Sequence, residues 1–545
     1  MLKVVAWFGF ALSLADGAGW AADEPAGDLS ARIDSLVDAA CQAGGAVPAG
    51  PCDDATFLRR VSIDLAGRVP SVLAARDFLD DATLDKRAAL VDRLLAGEEF
   101  ADHWGRVLTE IATDRRAVRQ PPFNGRVLQE YLRDALARDR SYQQIVRELI
   151  ASEGAGDSNG PVNFLLRYEA DPAKLTGAVA NKFLGVSLEC AQCHHHPFDR
   201  WTQDDFWGIA ACFARTKQVT ANDGELFGIM EARRGEMEID APTVAIGGEQ
   251  VAGEADARAE GAEAPAEPPS QKKQIAPRLL DGTPLSGKAS RRAELAEWIT
   301  SERNDDFARQ AVNAVWGRLF SSPLVSDHLA IDDATDRYEA ELLDTLATGF
   351  VADGYSLKRL LRVIVLSRAY GRDSASAAPG EGTGAVAARM PAGVEEPRLA
   401  RFRVRALSVD ELYQSVVQAS GYAGGYEEME GQPGDPESDP QSFADPAVEL
   451  LGQRALTVQR SLALLNSDFL KQASQFAARS CRAVMGRRIT PAHVQYVFLA
   501  TLSRRPTDEE SKAMLELVEA APSRGKGLED LVWLVLNSAE FNVNH

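Results

Sequence analysis

Cysteine and histidine are scarce in this chain, with 6 and 7 among 545 residues, and positive charge is in deficit: 59 lysines and arginines face 80 aspartates and glutamates, a formal net charge of −21. So little cysteine excludes a scaffold built from disulfides. The acidic balance disfavours attraction to phosphate backbones and anionic lipid, so no nucleic-acid partner is expected. Past the first two dozen residues, no segment approaches the roughly 18 apolar residues of a membrane span. A P-loop and a G-x-G-x-x-G following a strand are also missing, which removes the common nucleotide-binding signatures. Aromatic content of 7% and hydrophobic content of 45% are those of a globular protein with room for more than one core.

What is present begins with a leader. Met1-Leu2-Lys3 precedes an apolar run from Val4 to Leu14, and Gly19-Trp20-Ala21 supplies the small residues a signal peptidase inspects. Residues 1–21 are therefore expected to be a signal peptide. The mature protein is expected to be periplasmic or secreted, with no integral membrane span after cleavage. Three of the seven histidines then fall together beside a cysteine pair, in Cys190-Ala191-Gln192-Cys193-His194-His195-His196. C-x-x-C-H is the spacing of covalent c-type haem attachment, in which two thiols grip the porphyrin edge and the adjoining histidine reaches the iron. On that reading Cys190 and Cys193 form thioethers and His194 is the proximal ligand. A zinc site is the alternative, with thiolates from Cys190 and Cys193 and a nitrogen from His194 or His196. Asp199 could then orient a ligating histidine. In an oxidising compartment Cys41 and Cys52, on either side of the Gly/Pro-rich stretch 44–51, are expected to pair as a local disulfide. Cys212 and Cys481 read as buried single thiols.

The fold class expected is mainly α: two helical domains joined by a small β insert and a disordered acidic linker. Residues 29–215 form the first helical domain, carrying the CxxCH motif. Residues 216–275 form the insert and linker, and residues 276–545 the second domain. Asp53, Ser71, Asp171 before Pro172, and Thr202 stand where N-caps belong. Val219, 226–230 and 237–239 read as strands, and 253–271, rich in Ala, Glu, Gly and Pro, as linker.

The order of motifs resembles the planctomycete-type exported proteins that join domain of unknown function 1549, also called planctomycete cytochrome-like, to domain of unknown function 1553. The resemblance rests on Phe57-Leu58-Arg59-Arg60-Val61-Ser62-Ile63-Asp64-Leu65-Ala66-Gly67-Arg68-Val69-Pro70, on His103-Trp104, and on the CxxCH block with Pro197-Phe198-Asp199-Arg200-Trp201. In the second half it rests on 291–298, 307–313, Ser503-Arg504-Arg505-Pro506-Thr507 and the closing Asn544-His545. Two departures stand out: His195 replaces an acidic or amide residue, and Asp332-Asp333-Ala334-Thr335-Asp336 replaces an Asn-Pro-Pro-Ser-His stretch. The resemblance implies a cytochrome-like, redox or electron-transfer role with a redox partner protein. It favours His103 as the distal haem ligand, or as a fourth zinc ligand. Met230, Met237, His328 and His493 are the other available donors. A non-catalytic reading remains beside these, an exported scaffold binding a protein or polysaccharide, with Trp201, Trp207, Trp298 and Trp316 as stacking surfaces.

Overall fold

The computed structural model describes residues 25–114, 119–195, 200–221, 226–240, 272–287, 290–325, 334–374, 399–424 and 464–545. The expected leader, the linker at 253–271 and His328 lie outside the described residues. Among them the fold is mainly α, with nineteen α-helices and only short strands. None of these helices is long and apolar enough to cross a membrane.

The helices start where short polar side chains can satisfy their free N–H groups. Asp53 accepts from Thr56 N at 2.7 Å to open α2 (Asp54–Ala66), and Gly67 closes it at φ 70. Ser71 caps α3 (Val72–Asp80), and Asp171 with Pro172 opens α9 (Pro172–Val179). Between these run α4 (Lys86–Ala96), α5 (Glu98–Thr113), α6 (Gly125–Ala137), α7 (Tyr142–Ala151) and α8 (Val162–Arg167), after α1 (Pro25–Ala43). A capping box of Thr202 and Asp205 starts α10 (Gln203–Phe213). A short hairpin pairs β1 (Arg119–Gln120) with β2 (Phe123–Asn124). The expected β insert forms antiparallel pairs: β4 (Thr216–Ala221) on β5 (Leu226–Glu231), whose other edge carries β3 (Gly154–Ala155), and β6 (Met237–Asp240) on β7 (Lys272–Ile275). Then follow α11 (Arg291–Ile299), α12 (Asp305–Phe320), α13 (Ala334–Ala352), α14 (Leu357–Val365) and α15 (Val409–Ser420). Last come α16 (Asp468–Met485), α17 (Pro491–Leu502), α18 (Asp508–Ala520) and α19 (Arg524–Leu536).

The buried apolar side chains form two cores, and neither is confined to one half of the chain. The larger runs from Ile33 to Phe402, with Leu499 added from α17, and joins residues on both sides of the β insert. Tyr142 of α7, for instance, stacks on Phe307 of α12 with ring centroids 5.5 Å apart. The smaller core holds residues from Leu407 to Phe541 and is completed by Ile63 and Val69, from α2 and the turn after it. Helix α2 thus lies between the two cores, and every residue from Phe57 to Ala66 is buried.

Burial on all sides forces the charged residues of α2 to find partners inside the protein. Arg59 donates to the carbonyls of Thr501 (2.8 Å), Phe541 (2.7 Å), Glu540 and Val543 (both 3.2 Å). Arg60 donates to the carbonyls of Tyr370, Arg372 (2.9 Å) and His545 (3.0 Å), and its guanidinium lies 3.6 Å from the centre of the Phe402 ring. Asp64 accepts from Arg405 (2.7 Å), Asn544 (2.9 Å) and the Tyr370 hydroxyl (2.6 Å). Arg405 lies on β8 (Arg405–Ala406), which pairs with β9 (Val543–Asn544). It also grips Glu411 at 2.7 and 2.9 Å, and Arg318 of α12 completes the set at 2.9 Å from Glu411.

Replacing Arg405 with Met strands two buried carboxylates and is expected to cost about 3–5 kcal/mol in denaturant unfolding followed by circular dichroism. Replacing Arg505 with Ala, which breaks an exposed pair with Asp80, is expected to cost less than about 1 kcal/mol in the same measurement.

Candidate functional site

The CxxCH motif is carried on a short turn built from below. After Val179 the chain of α9 widens into a π-helical turn, Ala180–Leu184, which Gly185 ends at φ 67. Buried Leu188 leads into a 3₁₀ turn over Glu189–Gln192, with Ala191 N bonded to Leu188 O at 2.9 Å. Ala191 is fully buried and anchors the turn, while Cys190 and Cys193 on either side of it are exposed free thiols. Helix α10 holds the turn through its backbone carbonyls. Trp207 Nε1 donates to Gln192 O at 3.1 Å, and Gln203 Nε2 donates to Gln192 O at 3.1 Å and Cys193 O at 3.4 Å.

The two described histidines are set in opposite tautomers by their partners. His194 Nδ1 lies 2.7 Å from the carbonyl oxygen of His195, which only accepts, so Nδ1 carries the proton and Nε2 keeps its lone pair. His195 Nδ1 accepts from Gln203 N at 3.3 Å, so its proton is on Nε2. Only His194 therefore presents Nε2 as a ligand. His196 and Asp199 lie outside the described residues.

His103 is placed elsewhere, which corrects the expectation that it serves the cysteine pair. It is buried on α5 against Gly67, where a Cβ would stand 2.5 Å from its Nδ1. It faces Glu411 of α15, Arg318 of α12, Arg106 of α5 and Arg405 of β8, and its Nε2 has no hydrogen-bond partner. Burial holds its pKa well below 6.5. His493 is engaged at the start of α17, with Nδ1 at Thr490 and Nε2 3.2 Å from Gly486 O. Met230 and Met237 lie on β5 and β6. Among the described residues no three His, Cys, Asp or Glu side chains gather as a metal site.

Cys41 and Cys52 are also corrected: they are separate buried thiols. Arg372 Nη1 donates to Cys41 Sγ at 3.4 Å, and the Cys52 N–H donates to Gly371 O at 2.8 Å, so both cysteines border the segment around Arg372. Cys212 and Cys481 are buried as expected, their thiols pushed up to about 12 and about 11 by desolvation. One motif went unremarked in the sequence. Gly156-Asp157-Ser158-Asn159-Gly160 has G-x-S-x-G spacing, yet it forms an ordinary turn. Its glycines are required by packing, since a Cβ would meet Leu166 at 2.7 Å from Gly156 and Tyr131 at 2.4 Å from Gly160.

Beside the turn opens a cleft of about 980 Å³, which no sequence pattern pointed to. Leu184, Arg200, Trp201 and Asp205 form one wall and residues 279–306 the other. Gly282 to Gly287 has the glycine spacing of a P-loop, but Ala289 stands where a hydroxyl residue belongs. The backbone N–H groups of Thr283 and Ser286 are taken by Asp281 and Glu294. That loop is no phosphate cradle. Of the four tryptophans, Trp316 is buried against Phe320 and Trp201 is 7% exposed, while Trp207 and Trp298 are half-buried.

Comparison with known families finds two matches, in the order the motifs implied. Residues 32–218 match the family model PSCyt2, described as a protein of unknown function (DUF1549). Residues 291–455 match PSD1, described as a protein of unknown function (DUF1553). No curated protein and no solved structure matches the chain.

The placement of His103 gives a test by pH. Burial also lowers His545, to about 4, so on acidification the unfolded chain takes up protons before the folded one does. The stability contributed by the two neutral imidazoles is complete above about pH 6.5 and is lost as pH falls below it. Between pH 7 and 5, unfolding free energy is expected to decline with a slope approaching about 1.4 kcal/mol per pH unit for each histidine. His103→Gln is expected to flatten that slope in denaturant titrations run across the range.

Proposed function

Because the chain carries domain of unknown function 1549 followed by domain of unknown function 1553, we propose that it is an extracytoplasmic c-type-haem protein that transfers electrons to or from a redox partner protein. The observation that carries this reading is the pairing of two exposed thiols on one short turn with a histidine whose Nε2 is left free by its own Nδ1–H···O=C bond. Those residues fit the group. Cys190 and Cys193 would hold the group through thioether bonds and His194 Nε2 would ligate its iron, while the bond to His195 O keeps the ring oriented. When bound, the haem supplies one-electron chemistry.

The chain's own contribution is positional. Trp207 and Gln203 hold the carbonyls of Gln192 and Cys193, so both thiols stay on the outer face of the turn. Covalent attachment of this kind takes place outside the bacterial cytoplasmic membrane, which agrees with the leader at residues 1–21. The name of the first matching model, PSCyt2, points the same way.

The test is expression with a haem-maturation system, followed by a pyridine-haemochrome spectrum and haem staining of denatured protein. Covalently retained haem is expected, and its loss in the Cys190→Ser/Cys193→Ser variant. His194→Gln is expected to change the Soret spectrum and His195→Gln to leave it unaltered. A colourless protein from that host, or one carrying stoichiometric zinc, would overturn the proposal.

A further inference from the structure

The two apolar cores exchange few members. Among the described buried residues, Ile63 and Val69 cross into the smaller core and Leu499 into the larger, and the remaining apolar side chains stay on their own side. The joint between the cores is otherwise polar. Arg59 donates to the carbonyls of Thr501 and Phe541, Arg60 to that of His545, and Val69 N to the Ser415 hydroxyl at 3.2 Å, while Asp64 accepts from Arg405 and Asn544. A joint closed mainly by charge and hydrogen bonds is sensitive to any charge added inside it.

Two histidines stand in this joint, one from each side. His103 of α5 faces Glu411 of α15, Arg405 of β8, Arg318 of α12 and Arg106 of its own helix, and its buried Nε2 has no hydrogen-bond partner. His545, next to β9, faces Arg59 and Arg60 of α2, Arg504 after α17 and Glu540 after α19, and its buried Nδ1 has no partner either. An imidazolium donates from both ring nitrogens, so at each site a protonated ring would hold a buried donor without an acceptor. The two carboxylates in view are already engaged, Glu411 by Arg318, Arg405 and the Ser408 N–H, and Glu540 by Arg504 at 2.6 and 2.9 Å. Six arginines would then face the two added charges. Opening the joint to water relieves both sites at once. We propose that the joint between the two cores is an acid-released latch, in which protonation of His103 and His545 frees the C-terminal helices α15–α19 from α2 while each core stays folded.

The closed joint holds both imidazoles neutral, whereas in the open form they titrate near 6.5, so the open form takes up protons first and gains population as pH falls below about 6.5. From pH 7 to pH 5 each histidine raises that population about 25-fold, and the pair about 600-fold. The experiment is hydrogen–deuterium exchange of the full-length protein at the two pH values, read by mass spectrometry and corrected for the intrinsic pH dependence of exchange. Peptides covering residues 57–69, 405–407 and 541–545 are expected to lose protection together at pH 5, with α7, α8 and α19 keeping theirs. His103→Gln/His545→Gln is expected to bring the ratio of opening between the two pH values from about 600-fold to within a few-fold. Should the double variant fold poorly, His545→Gln decides the matter, since it should leave a ratio of about 25-fold. The proposal is overturned if those peptides keep their protection at pH 5, if α7, α8 and α19 lose theirs along with them, as in global unfolding, or if the variants leave the ratio unaltered.

Discussion

Helix α2 carries three charged side chains into the interior, and the docking of the C-terminal core depends on how they are satisfied. Arg59 and Arg60 spend their donors on main-chain carbonyls from segments more than 300 residues away, and Asp64 anchors the β8–β9 pair through Arg405 and Asn544. Apolar residues of similar volume often pack as stably, because taking charges out of water is expensive. They would not choose one arrangement. Each carbonyl and carboxylate in this network has a fixed place, so a shift in register would leave a buried charge unmatched. The same set reaches α12 through Arg318 and Glu411. A 16-residue helix is about 24 Å long, so α12 is a rod with one end in the polar core and the other, at Asp305 and Asp306, in the cleft.

A smaller device of the same kind sets the cysteine turn. Asp205 Oδ2 accepts from both the N–H and the hydroxyl of Thr202, closing the capping box of α10, while its Oδ1 accepts from Arg278 at 2.9 Å. That helix start fixes where Gln203 and Trp207 present their donors, and hence where the carbonyls of the turn lie. Asp205 also lines the cleft. One carboxylate therefore ties the helix cap, the attitude of the cysteine turn and the wall of the cleft together.

Local chemistry was legible in the sequence because it is local. Asp53, Ser71, Asp171 and Thr202 each accept from the N–H three residues downstream, and the strands at 216–221 and 226–231 follow their own β-rich composition. The cysteine pair was visible as spacing alone. Long-range satisfaction was not: nothing near Arg59 reveals an acceptor at Phe541, and nothing near His103 reveals that Glu411 faces it. His103 looked like a ligand because it sits in a motif that the family resemblance matched, yet its neighbours come from α12, β8 and α15, all distant in sequence. The tautomers of His194 and His195 also lie beyond the sequence, since they turn on which atom each Nδ1 meets. The cleft was illegible for the same reason, being made of two walls more than 70 residues apart in the chain, each unremarkable by itself.

Architecture and site differ in what their polar groups face. In the interior, carboxylates face arginines: Asp64 and Glu411 meet Arg405 and Arg318, and the resulting field holds Glu411 well below the usual carboxylate range in spite of its complete burial. A carboxylate kept ionised there is a fastener, because every lone pair it offers is already taken by an arginine or a capping N–H. At the cysteine turn the polar groups face solvent. Cys190 and Cys193 are exposed free thiols, and the exposed His194 is held among the described residues through Nδ1. Water satisfies such groups in place of the protein, so leaving them open costs folding little. Two thiols and an imidazole gathered on one solvent-facing turn, each able to exchange water for a ligand, are the physical reason for placing function there.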